Sequence, residues 1–83
     1  MASLSEIFSE IVKGIVSQKD QVKITEESQN GLEKVKISVA KEDMGPMIGK
    51  GGRVIKSMRR LSGVLGVKRG KKIIVELEED FVA

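Results

Sequence analysis

Apolar residues at Leu4, Ile7, Phe8, Ile11, Val12 and Ile15 recur at the three-and-four spacing of a single helical face. Ser3 sits where an N-cap belongs, and Glu6 follows three residues later, as in a capping box. The spacing predicts a helix over 4–17. Its polar face lacks the basic enrichment of a membrane-surface helix, so its stripe reads as packing. The pattern fits a helix that completes the core and equally one that forms an interface.

The period then changes from helical to alternating. Val22 and Ile24 alternate with Gln21, Lys23 and Thr25, which predicts a strand over 21–27. Asn30-Gly31 is a turn signal, with Ser28-Gln29 available to lengthen the loop. Val35, Ile37 and Val39 alternate with Lys34, Lys36 and Ser38, which predicts a second strand over 33–40, antiparallel to the first. Glu42 and Asp43 favour a helix start, and Pro46 is tolerated only in a first turn, so 41–48 reads as a short helix. Val54, Ile55, Met58, Leu61 and Leu65 restore the helical period over 52–65, with Gly66 as the expected stop. Residues 67–70 read as a short basic loop, and Ile73, Val75 and Leu77 mark a last strand over 71–78.

The order α-β-β-α-α-β places a helical crossover between the second and third strands, which permits parallel pairing with a right-handed connection. The expected fold is α+β: a three-stranded mixed sheet with three helices on one face. The 83 residues read as a single domain, with its core over about 4–79 and a fraying acidic tail at 80–83.

The element between the last two helices carries candidate chemistry. Gly49-Lys50-Gly51-Gly52 is a glycine-x-x-glycine turn, preceded by the apolar Ile48 and followed by a helix starting with Arg53. Such a turn brings backbone N–H groups and a helix N-terminus to an anionic ligand with no side chains in the way. The bland alternative is a tight turn and nothing more.

Composition sharpens this. The net charge is only +3, but from Lys50 to Lys72 there are nine basic residues and no acidic one. The rest of the chain holds six Lys and all twelve carboxylates. Segregation of this kind points to a polyanion, where an isolated run would read as a solvated face. There is no Cys and no His, which excludes disulfides and thiolate metal sites and removes the commonest general base. No secretory leader or membrane-spanning run is visible, so a cytoplasmic protein is expected.

With this element order, Ile48-Gly49-Lys50-Gly51-Gly52-Arg53-Val54-Ile55 resembles the signature of a KH domain, in the type II, prokaryotic arrangement. Over about 4–79 the chain is similar to the small stand-alone KH proteins of bacteria, the KhpA family. The resemblance implies single-stranded RNA, its backbone clamped over about four nucleotides by the glycine loop. It further implies that Gly49, Lys50, Gly51 and Gly52 form that loop, and that Arg53 and Lys56 face phosphates. Ile48 and Val54 would line the groove, with Met44 a weaker candidate, and Lys68 and Arg69 would reach it from a variable loop at Gly66–Gly70. Many relatives carry a basic residue where Pro46 stands. The resemblance also implies an RNA chaperone or post-transcriptional regulator, linked to cell-envelope or cell-size control. Its partners would be a second copy or a larger KH-containing RNA-binding protein.

The residues agree on how RNA would be held. Phe8 and Phe81 are the only aromatics and lie outside the motif, so bases cannot stack on aromatic platforms. Base-edge hydrogen bonds would come from the main chain of the last strand. Rival readings fare worse. Gly45-Pro46-Met47-Ile48-Gly49-Lys50-Gly51 is one residue short of a P-loop and has Gly51 where Ser or Thr must hold magnesium. A dinucleotide fingerprint fails at Val54. No carboxylate is spaced to serve a nucleophile, so neither catalysis, cofactor nor metal is expected. The serious alternative is a protein-interaction module, a dimerisation domain with no RNA binding of its own. Arg59 lies about 100° around the helix from Arg60, so both cannot face one ligand, and Arg59 reads as solvated or in a local ion pair.

Overall fold

A computed structural model describes residues 3–79. In chain order they form α1 (Leu4–Lys13), β1 (Lys23–Gln29), β2 (Leu32–Val39), α2 (Met44–Ile48), α3 (Arg53–Arg69) and β3 (Lys72–Glu79). Short 3-10 turns at Lys19–Gln21, Lys41–Asp43 and Lys50–Gly52 punctuate them. The order β1-β2-β3 is antiparallel then parallel, which is the expected mixed sheet.

Alternation along the strands decides what each face does. Val35, Ile37 and Val39 of β2 and Ile73 and Val75 of β3 point inward. They form one core with Leu4, Phe8 and Val12 of α1, Met47 of α2, and Ile55 and Met58 of α3. The outward face carries the ion pairs Lys34–Glu76 at 3.2 Å and Lys36–Glu27 at 3.4 Å. Helices therefore cover only the apolar face. Ser3 caps α1 by accepting the Glu6 N–H at 3.2 Å. The Glu26 carboxylate reaches across from β1 to accept the Ser5 N–H at 2.6 Å, which satisfies a second orphan donor of the first turn.

Several boundaries move, each for a physical reason. α1 stops at Lys13 rather than 17, because the chain bends at Gly14 while Ile15 and Val16 still pack against the core. The next residues are taken by Asp43, which accepts from the Ser17 N–H and Oγ at 2.8 Å and from the Gln18 N–H at 2.9 Å. The 3-10 turn that follows delays β1 to Lys23. Ser28 and Gln29 belong to the strand, because Asn30 and Gly31 close the hairpin alone, with φ of 51° and 80°.

The largest correction concerns Gly66. It does not stop α3, which runs on to Arg69. A Cβ at Gly66 would stand 2.5 Å from the Lys71 carbonyl oxygen, so glycine is there to let the helix approach the chain entering β3. The true stop is Gly70, at φ +66°. The Lys71 N–H donates to Gly66 O at 2.9 Å and the Gly70 N–H to Val67 O at 3.4 Å, a Schellman closure. The expected loop at Gly66–Gly70 is thus the last turn of a helix. Glu79 ends β3; the expected fraying tail at 80–83 lies outside the described residues.

Candidate nucleic-acid interface

α2 is a single turn and a half, with Pro46 in its first turn, where a missing N–H costs nothing. The Gly49 N–H closes it by donating to Gly45 O at 2.8 Å. Gly49 then turns the chain at φ 77°, ψ 172°. A Cβ there would lie 2.5 Å from Val54 Cγ2 and 2.9 Å from Val54 N, so a side chain at 49 forces Val54 or the turn to shift.

Gly51 (φ 65°) and Gly52 (φ 77°) are both left-handed and frame α3's start. Gly51 faces open space; Gly52 has the Lys56 side chain 3.7 Å from its missing Cβ. No side chain caps α3. The turn satisfies part of that terminus itself, with Gly52 N–H on Gly49 O and Arg53 N–H on Lys50 O. The result is a bare backbone knuckle at the positive end of a 17-residue helix.

Around it the expected residues gather unevenly. Lys50, Arg53 and Lys56 are exposed, and Ile48 is 41% exposed although it is a large apolar side chain. Val54 and Met44 are half-buried against the core. These residues share one end of the molecule. Lys68 and Arg69 do not: they occupy the last turn of α3, about 22 Å along the axis from Arg53. Lys68 is exposed, and Arg69 is half-buried and engaged by a neighbour.

Two residues outside the motif matter. Asp43 is 2% exposed, directly before α2. Its hydrogen bond from the Ser17 amide holds its carboxyl below the ordinary range against the opposing cost of burial, helped by Gln18 N–H and the Ser17 hydroxyl. It ties the chain leaving α1 to the helix that presents Gly49. Arg59 is exposed, as expected, and lines a hollow of about 220 Å³ with Ser62, Ile73, Ile74 and Val75, beside the unpaired edge of β3. The spacing of Arg59, Ser62 and Gly66 along one side of α3 was the available signal.

Among the described residues no His, Cys, Asp and Glu cluster could hold a metal, and no helix is long and apolar enough to cross a membrane.

The family model described as KhpA/KhpB, KH domain, matches residues 5–77. The RNA-binding protein KhpA of Listeria monocytogenes is 42% identical over 76 residues, covering 92% of this chain and all of the relative. Those of Clostridium acetobutylicum (32% over 74 residues, 89% of this chain, 99% of the relative) and Aquifex aeolicus (30% over 79, 95% and 100%) are similar over the same span.

Proposed function

The chain belongs to the KhpA/KhpB KH-domain family, and from that premise we propose that it binds single-stranded RNA without catalysis, clamping the backbone on the Gly49–Gly52 knuckle. The observation that carries this reading is the conjunction at one helix end. Three glycines have positive φ, one of them with no room for a Cβ, and they sit in a stretch with no carboxylate. Lys50, Arg53 and Lys56 pair with phosphates. Ile48 and Val54 offer an aliphatic wall, and the free edge of β3 offers main-chain groups to base edges. With no aromatic platform, base selectivity is modest. The protein acts in the cytoplasm as an RNA chaperone or post-transcriptional regulator, tied by family likeness to cell-envelope or cell-size control.

Fluorescence anisotropy with short single-stranded RNAs tests this at two salt concentrations, with circular dichroism as the fold control. Wild type binds and salt weakens it, and Lys50→Asp/Gly51→Asp does not bind. Equal binding by both proteins sinks the clamp.

A second reading has its own observation. Val64 and Val67 are 55% and 85% exposed on α3, a solvent-facing apolar pair that suits a second copy or a larger KH-containing partner. Such a partner is compatible with RNA on the glycine turn. A pure dimerisation module instead tolerates charge reversal at Lys50.

A further inference from the structure

We propose that the free edge of β1, with the hollow beside it on α1, is a docking site for an extended basic and apolar segment of another protein, which adds to the sheet as a fourth strand. The site uses none of the residues assigned to RNA and neither of the exposed valines of α3. It stands or falls independently of the glycine clamp.

The sheet order β1-β2-β3 leaves one side of β1 without a strand. Among the described residues, Ile24–Gln29 make no main-chain hydrogen bond outside the ladder with β2. Every second residue there presents its N–H and C=O to the open side, which is a template for a further strand. Ile24 is the one residue of β1 that is even half-buried.

Beside this edge a hollow of about 760 Å³ is lined by Ile7 and Ile11 of α1, by Val22 and Ile24 at the entry to β1, and by Glu6 and Glu10. The four aliphatic side chains touch the core and remain only half-buried. Ile24 stands opposite the core residue Ile37 in the ladder, so its side chain lies on the helix-covered face. A strand added to β1 would turn alternate side chains to that same face, toward Ile7 and Ile11.

Charge selects the occupant. Residues 3–29 hold five carboxylates and three lysines, the opposite balance to the stretch from Lys50 to Lys72, so this face repels a nucleic acid. Glu6 and Glu10 are exposed and make no ion pair among the described residues. Lys13 is the one cation that lines the hollow with them among the described residues. A second copy adding through its own β1 would bring the same excess of carboxylates, which disfavours that pairing.

The paired edge of β1 shows what the strand accepts. Lys34 and Ile37 of β2 stand opposite Glu27 and Ile24, and Lys36 pairs with Glu27 at 3.4 Å. The same alternation of lysine or arginine with valine or isoleucine suits the open edge. The edge supplies main-chain bonds, the hollow supplies apolar contact, and Glu6 and Glu10 supply charge. Those two carboxylates are one helical turn apart, about 6 Å along the axis. Alternate residues of a strand are about 6.8 Å apart, a close match.

The probe is a labelled eight-residue peptide of alternating valine and lysine, capped at both ends. Its twin, N-methylated at every amide, keeps the charge and loses every main-chain donor. Anisotropy is measured with wild type, Glu6→Gln/Glu10→Gln and Glu6→Lys/Glu10→Lys, each checked by circular dichroism. Wild type binds the peptide, and N-methylation weakens binding at least about tenfold. The neutral pair weakens it about threefold and the reversed pair at least about tenfold. Binding moves the backbone amide shifts of Ile24–Gln29 and leaves those of Gly49–Gly52 still. Absence of wild-type binding overturns the site. Equal binding of peptide and twin overturns strand addition, leaving a loose electrostatic contact. Self-association in sedimentation that Glu6→Lys/Glu10→Lys abolishes, with no peptide bound by wild type, gives the face to a second copy and also overturns it. If the reversed pair does not fold, the neutral pair and the twin decide.

Discussion

Gly49 and Gly66 exclude a side chain equally: a Cβ at either would stand 2.5 Å from its nearest neighbour. The neighbours differ, and so do the consequences. At Gly49 the obstacle is the Val54 side chain and amide in a turn with positive φ, at a surface with no capping side chain. At Gly66 it is the Lys71 carbonyl, inside a regular helix packed on the chain entering β3. On the proposed reading the first glycine shapes a surface for RNA; the second brings two elements of the fold together. Glycine content alone says nothing about function until the atom that forbids the side chain is known.

The largest expected effect is on RNA. Lys50→Asp/Gly51→Asp removes one positive charge and adds two negative ones, while Asp tolerates the left-handed backbone of Gly51. RNA affinity falls at least about tenfold, and the urea midpoint changes little. Equal losses of binding and stability would erase the distinction between the two glycines. Gly66→Ala does the reverse. Forcing a methyl against a backbone carbonyl costs about 1–3 kcal/mol in urea unfolding, and the protein that remains folded binds RNA with wild-type affinity. A Gly66→Ala protein as stable as wild type would mean that helix and strand separate freely.

Smaller effects sharpen the contrast. Gly70→Ala meets no neighbour but keeps the left-handed φ, so its cost is strain alone, about 1–2 kcal/mol, at or below that of Gly66→Ala. If about three phosphates are neutralised at the knuckle, the log–log salt slope of wild-type binding is about −2. A flat slope would remove the electrostatic clamp. Asp43 sets the acid limit of the scaffold behind Gly49. Its folded pKa is lowered, so its stabilising effect is full above the unfolded value near 4 and disappears as pH falls through the folded value. Asp43→Asn therefore shows a flatter loss of stability below about pH 4 than wild type. Parallel acid-unfolding curves would deny Asp43 that role.

Much of this was legible from residue order. Period 3.6 and period 2 are local properties, so the six elements and their order followed from them. The parallel pairing of β3 followed from the crossover. The knuckle was legible because glycine spacing, a flanking Lys and Arg and a helix start coincide within eight residues. What escaped was set by contacts distant in sequence. Gly66 looks like a stop because a glycine required for close approach and one required for a turn are the same letter. Ile15 and Val16 kept α1's apolar pattern alive past its end because a bent chain still buried them. Asp43 looked like a helix-start residue, but its partners are Ser17 and Gln18. Arg59 acquired its place only when β3 was laid beside α3.

Backbone amide chemical shifts during titration with a short single-stranded RNA test the site most directly, because the glycine amides report on each turn separately. The shifts expected are concentrated at Gly49, Lys50, Gly51, Gly52 and Arg53, with Gly14 and the outward-facing residues Lys34 and Lys36 unmoved. Shifts confined to α1 or the outer sheet face, with the Gly49–Gly52 amides still, would contradict the assignment of this knuckle as the RNA clamp.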